Sequence, residues 1–206
     1  SPSRPEDAEI FNELQSFVGE TMQVPPKFSA VKIDGERAYK LARAGEEVEI
    51  SARPLFVSEL TLIDRPTVNS AVLGMTCGKG GYVRAVARDL GQALGCYAHV
   101  TKLRRIWSGP FDLENSVTLE TLEPFARTLE IDKYLRPLED GLADLSKGTT
   151  NAEGAAKLQN GNPAICFTNA EYGDEIWVSY EGKAQAIGHF RSGEIFPNRV
   201  ILQKID

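Results

Sequence analysis

The chain has 206 residues, of which 42% are hydrophobic and 25% charged; this is close to globular averages and excludes a disordered tail or a fibre. A net charge of −6 argues against a nucleic-acid binder taken as a whole, and no apolar run approaches the roughly 20 residues of a membrane helix. Three widely spaced cysteines (Cys77, Cys96, Cys166) speak against a disulfide framework and for a reducing compartment. With only His99 and His189 beside them, a zinc site has almost no ligands.

In chain order, the polar opening Ser-Pro-Ser-Arg-Pro-Glu-Asp carries neither a signal peptide nor an initiating Met, so a piece of a longer protein is expected. Ser3-x-x-Glu6 has the form of a capping box; Ile10, Phe11, Leu14, Phe17 and Val18 then share one helical face, and Gly19 suits the stop. The prolines of Gln23-Val-Pro-Pro-Lys-Phe-Ser-Ala30 predict an extended, fixed loop. A short helix over 37–44 ends at Gly45, and strands follow over 55–63 and 71–77. Gly78-Lys-Gly-Gly81 turns the chain into a helix carrying Tyr82, Val83, Val86, Leu90 and Leu94, closed by Gly95. Residues 99–107 read as another strand, and 118–145 as acidic and helical with a break at Pro137. Thr150-x-x-Glu153 is a second capping box, opening a helix to Leu158. The rest is antiparallel β: an alternating Ile176, Val178, Tyr180, a turn at Glu181-Gly182-Lys183, and strands over 184–190 and 194–202. The expectation is an α+β chain, with mixed sheet and helix over 1–145 and a small β domain over 146–206.

Charge is unevenly spread. From Lys79 to Arg105 there are six Lys or Arg and one acid, whereas from Asp112 to Glu153 there are ten acids and four bases. A local basic patch can bind phosphate in an acidic protein because salt screens beyond about 8–10 Å; a solvated surface is the other reading. Gly78-Lys79-Gly80-Gly81 before a helix allows close backbone approach and free N–H groups for an anion, without the spacing of a P-loop. A tight strand-to-helix turn is the reading that its local features favour. Tyr82 suits a core aromatic or a stacking platform, and Arg84 an ion-paired or a substrate-facing cation. His99, Cys77 and Cys96 read as structural, and Asp34, Glu36 and Asp89 form no selected acid–base pair.

Gln23-Val-Pro-Pro-Lys-Phe-Ser-Ala-Val-Lys-Ile-Asp-Gly-Glu-Arg-Ala-Tyr39 and Leu41-Ala-Arg-Ala-Gly45 together resemble the Pro-Pro-x-x-Ser-Ala-x-Lys-x-x-Gly-x-Arg-x-Tyr-x-x-Ala-Arg-x-Gly block of the bacterial TruB family, the tRNA pseudouridine-55 synthases. The stretch from Cys77 to Gly91 is similar to that family's Gly-x-Tyr-Val/Ile-Arg motif, and Leu94 to Arg105 continues the match. Asn160-Gly-Asn-Pro163 and Phe196-Pro-Asn-Arg199 resemble parts of its PUA-like RNA-binding domain. The family's Gly-x-Leu-Asp-x-x-Ala-Thr-Gly block, which holds the nucleophilic aspartate, has no counterpart here, so the chain is expected to be roughly the last two thirds of such an enzyme. Gly81 stands where a Thr is usual, a change expected to loosen the turn.

The resemblance implies part of a pseudouridine synthase catalytic domain followed by a PUA-like domain. It implies isomerisation of a flipped uridine in the tRNA T-loop without cofactor or metal, by a cytoplasmic monomer that contacts tRNA and no membrane. By position, Arg84 pairs with the absent aspartate, Tyr82 stacks on the flipped base and Leu103 walls the pocket, while Lys79, Arg88, Arg104 and Arg105 serve phosphates. No catalytic nucleophile is present, so this chain alone is expected to be inactive. A non-catalytic RNA-binding module on the same scaffold and an unrelated acid–base enzyme are the competing classes.

Overall fold

A computed structural model describes residues 1–202, with helices and sheets of an α+β fold. The chain divides into two compact units, Ser1–Leu103 and Arg104–Asp206, so the boundary expected at 145/146 lies inside the second.

In the first unit, helix α1 (Asp7–Leu14) has Glu6 as its N-cap, three residues later than Ser3 suggests. Pro5 disfavours helical backbone at Arg4, and the capping contact forms downstream, where the Glu9 carboxylate accepts the Glu6 N–H at 2.7 Å. A 3-10 turn (Gln15–Phe17) leads into β1 (Gly19–Gln23). A small hairpin of β2 (Lys32–Ile33) and β3 (Glu36–Arg37) precedes α2 (Ala38–Arg43), which stops before Gly45 as expected. Strands β4 (Arg53–Thr67) and β5 (Ser70–Cys77) complete an antiparallel sheet in the order β1-β4-β5, and α3 (Val83–Ala93) follows.

The core of this unit joins Leu55, Val57 and Leu60 of β4 to Ile10 and Leu14 of α1 and to Val86 and Leu90 of α3. Strict alternation from Val57 would turn Glu59 inward. A register shift between Val57 and Glu59 brings Leu60 into the core instead, as a bulge does when it inserts one residue.

In the second unit, a hairpin of β6 (Trp107–Ser108) and β7 (Phe111–Asp112) precedes α4 (Leu119–Leu122). Strand β8 (Ser146–Thr149), α5 (Ala152–Gln159) and β9 (Ala164–Ile165) lead to β10 (Glu175–Tyr180), β11 (Lys183–Arg191) and β12 (Glu194–Val200). Their sheet runs β8-β10-β11-β12-β9, with β8 parallel to β10 and the other pairs antiparallel. Ile176 and Val178 pack with Leu158 of α5, while Trp177 packs with Leu142 and Ala184. Alternate residues of one strand thus enter two clusters, as the pleat requires.

Three local expectations change. Residues 99–106 form no strand; His99, Thr101, Lys102, Arg104 and Arg105 leave little apolar alternation to bury. The 118–145 stretch holds one helix of four residues and 3-10 turns at Glu123–Phe125, Leu129–Tyr134 and Leu138–Leu142. Pro124 and Pro137 interrupt it, and Leu142 is its single buried apolar side chain. The α5 cap is Asn151, whose Oδ1 accepts the Gly154 N–H at 2.8 Å, because the Thr150 hydroxyl instead donates to the Ile165 carbonyl at 2.7 Å.

Candidate functional site

The Gly78–Gly81 turn carries the chain from β5 into α3. The Gly78 N–H donates to the Phe56 carbonyl at 2.8 Å, and Gly80 has φ +88°, a conformation that favours glycine. A Cβ at Gly81 would lie 3.0 Å from Cys77 Sγ and 3.1 Å from Leu55 Cδ1. The turn is therefore close-packed at this point, not loosened by the missing side chain.

Tyr82 is the N-cap of α3, with extended backbone (φ −105°, ψ 102°) and no side-chain cap of its own. Its polar backbone is met by Gln23, at the end of β1 and 7% exposed. Gln23 Oε1 accepts the Tyr82 N–H at 2.8 Å, and Nε2 donates to the Tyr82 carbonyl at 3.3 Å. Buried backbone groups need such partners. The Tyr82 ring is half-buried against Val31, Ala38, Val48 and Ile50.

Arg84 and Arg88 stand four apart, on one face of α3. Arg84 Nη2 donates to the Phe28 carbonyl at 3.0 Å, and Arg88 Nη2 to the Val24 carbonyl at 2.9 Å. The proline-containing 24–31 segment has no regular structure, so these carbonyls are free to accept. Arg88 also grips Asp89, with Nε and Nη2 at 2.6 and 3.0 Å from its two oxygens. The hydrogen bond to Asp89 raises the Arg88 pKa above its ordinary value, partly opposed by burial. Arg84 is exposed and has no carboxylate partner among the described residues. Next to Phe28, the Ser29 hydroxyl is buried without a hydrogen-bond partner.

Lys79, Arg104 and Arg105 are exposed, and Leu103 is 65% exposed on the irregular segment after α3. The structure thus gathers Tyr82, Arg84 and Arg88 at one helix start, and adds Gln23 and Asp89, which the sequence reading did not select. Gln23 opens the block quoted above, but nothing in its spacing points to a partner 59 residues away. Asp34 and Glu36 are exposed at the β2–β3 hairpin and take part in no salt bridge among the described residues. A cleft of about 250 Å³ lies beside Gln23, lined also by Thr21, Leu55, Val86 and Asp89, but not by Tyr82 or Arg84. No three His, Cys, Asp or Glu side chains gather as metal ligands among the described residues. Nor is any described helix long and apolar enough to cross a membrane.

Residues 1–83 match the profile of the TruB family pseudouridylate synthase N-terminal domain, and residues 84–143 that of the tRNA pseudouridylate synthase B C-terminal domain. The tRNA pseudouridine synthase B of Ruegeria pomeroyi is 61% identical over 97% of this chain and 66% of its own length. That of another Ruegeria strain is 60% identical over 98% and 68%, and that of Agrobacterium fabrum 40% identical over 97% and 66%. The chain spans about two thirds of the length of these curated relatives. Among solved structures, a chain from a Cbf5-Nop10-Gar1 complex shares the fold at TM-score 0.70 and 20% identity, covering 98% of this chain and 62% of that one. A chain from an H/ACA RNP bound to a substrate RNA containing 2'-deoxyuridine does so at TM-score 0.70 and 16% identity, covering 98% and 63%. Two family profiles matched in order along residues 1–143 and identities of this size agree: the chain belongs to the TruB family of pseudouridylate synthases.

Proposed function

We propose that this chain carries the base-pocket and RNA-binding portion of a synthase that isomerises uridine-55 in the tRNA T-loop to pseudouridine. The observation that carries the reading is the start of α3. There Tyr82 and Arg84 lie two residues apart on a backbone held by Gln23, and the Arg84 guanidinium lacks a carboxylate partner among the described residues.

Isomerisation requires the glycosidic bond to break and the base to rejoin through C5. In this reading an aspartate from outside the 206 residues is the nucleophile, and Arg84 keeps it ionised by proximity of opposite charge. Tyr82 stacks on the extruded base, with Leu103 as an apolar wall, offsetting an unstacking cost of a few kcal/mol. Lys79, Arg104 and Arg105 are exposed cations suited to phosphates. Arg88, already paired with Asp89, is the weakest phosphate candidate. Residues 146–206 act as a PUA-like RNA-binding module, and the protein works as a cytoplasmic monomer; free cysteines at 77, 96 and 166 fit a reducing compartment.

The test is turnover on a T-stem–loop RNA. The 206-residue chain alone is expected to form no pseudouridine, and addition of the aspartate-bearing region of a close relative is expected to produce it. Arg84→Ala in that complemented enzyme should lower turnover far more than RNA affinity. Product from the chain alone, freed of host enzyme, would overturn the assignment of the nucleophile. RNA binding with no turnover after complementation would favour a non-catalytic RNA-binding module.

A further inference from the structure

Gln23 ends the first strand of its sheet, opposite Arg53 of β4, and is buried. Its carboxamide meets both polar groups of one residue, the Tyr82 N–H and carbonyl. One hydrogen bond would tether Tyr82, whereas two from a planar amide also fix the orientation of the backbone around it. That matters because the Tyr82 backbone is extended and the helix begins only at Val83. Its N–H precedes the helical bonds, and Gln23 supplies the partner it needs. The chain leaving Gln23 is held by the same helix, through Arg84 to Phe28 and Arg88 to Val24. Strand end, loop and helix start therefore form one closed strap.

We infer that Gln23 is a positioning residue for base recognition: it fixes the Tyr82 ring, and through the same helix turn the Arg84 guanidinium, in the orientation that receives an extruded pyrimidine. The inference rests on the functional reading of Tyr82 given above. Gln23 touches no substrate in this role. The chemistry is specific to a carboxamide at this reach. Glu at position 23 can still accept from the Tyr82 N–H but cannot donate to the carbonyl. Leu fills the space but leaves the Tyr82 N–H unmet, the carbonyl keeping the Ala85 and Val86 N–H groups of the helix, and Asn is one methylene short.

The test uses the 206-residue chain and a T-stem–loop RNA carrying a fluorescent uridine analogue at the target position, with emission quenching as the measure of stacking. Tyr82→Ala should abolish quenching. Gln23→Leu should reduce the stacked population about tenfold, the scale of one unsatisfied buried polar group, with the salt slope of binding unchanged. Gln23→Glu should be intermediate and Gln23→Asn no better than Leu. Amide exchange at Tyr82 should quicken in the same order. If Gln23→Leu fails to fold, Gln23→Glu carries the test through the same two readouts. Full quenching in Gln23→Glu, or in a folded Gln23→Leu, with quenching lost in Tyr82→Ala, overturns the role of Gln23 and leaves the functional reading intact. Undiminished quenching in Tyr82→Ala overturns the functional reading itself.

Discussion

Arg88 grips its own neighbour: Nε and Nη2 reach the two carboxylate oxygens of Asp89 at 2.6 and 3.0 Å, and Nη2 also donates to the Val24 carbonyl. A cation engaged in this way serves the protein's own loop before any phosphate. Arg88→Ala is therefore expected to destabilise the fold by about 1 kcal/mol and to speed proteolysis within 24–28. The salt dependence of RNA binding should barely change. A flattened salt slope with an unchanged unfolding midpoint would return Arg88 to the phosphate contacts.

Arg104 and Arg105 contrast with it, since both are exposed on a segment without regular structure. Each phosphate contact releases condensed counterions. Changing both to Ala should weaken binding of a T-stem–loop RNA and flatten the plot of log affinity against log salt by about one to two units. Filter-binding titrations at several salt concentrations check this, and an unchanged slope would make the pair a solvated surface.

The cap of α5 is open to a clean substitution. Asn151→Ala removes the acceptor of the Gly154 N–H and should cost about 1 kcal/mol, read as a lower denaturant midpoint at unchanged slope. Glu153→Ala should cost less, because this carboxylate pairs with Lys157 across an exposed helical turn. An equal loss for Glu153→Ala would restore the capping box expected from Thr150 and Glu153.

Cys166 provides a pH test. Burial, and secondarily the Glu194 carboxylate, raise its thiol pKa above the ordinary 9.0. The folded state then keeps its proton where the unfolded chain loses it, so stability falls with rising pH. The contribution is fully present below pH 9.0 and is lost as pH rises through the higher folded value. Urea midpoints between about pH 7 and pH 10 should fall more steeply for the native chain than for Cys166→Ala. Identical curves would disprove a buried, neutral thiol. Alkylation at neutral pH should reach the half-buried Cys77 and Cys96 first.

The elements legible in the sequence are those whose causes are local. Glycines after helical runs end α2 and α3, Glu181 and Gly182 turn β10 into β11, and the prolines after Val24 keep that loop irregular. Tyr82 and Arg84 are singled out by resemblance alone, because their motif is contiguous. Tertiary structure decided the rest. The 118–145 stretch has helical composition but little apolar surface to bury, and without packing a short helix does not propagate. The 99–106 segment belongs to no sheet among the described residues, and at its end the Ile106 carbonyl accepts the Leu113 N–H at 2.8 Å beside the β6–β7 hairpin. Register in β4 depends on which side chain the core accepts, so Leu60 displaces Glu59. Gln23 is decided by tertiary structure most plainly of all. Its partner lies 59 residues away, and a carboxamide can be matched to a distant N–H and carbonyl only once the sheet and α3 have packed. Periodicity and turn chemistry act over a few residues, whereas the hydrogen bonds that orient this site exist only where separate elements meet.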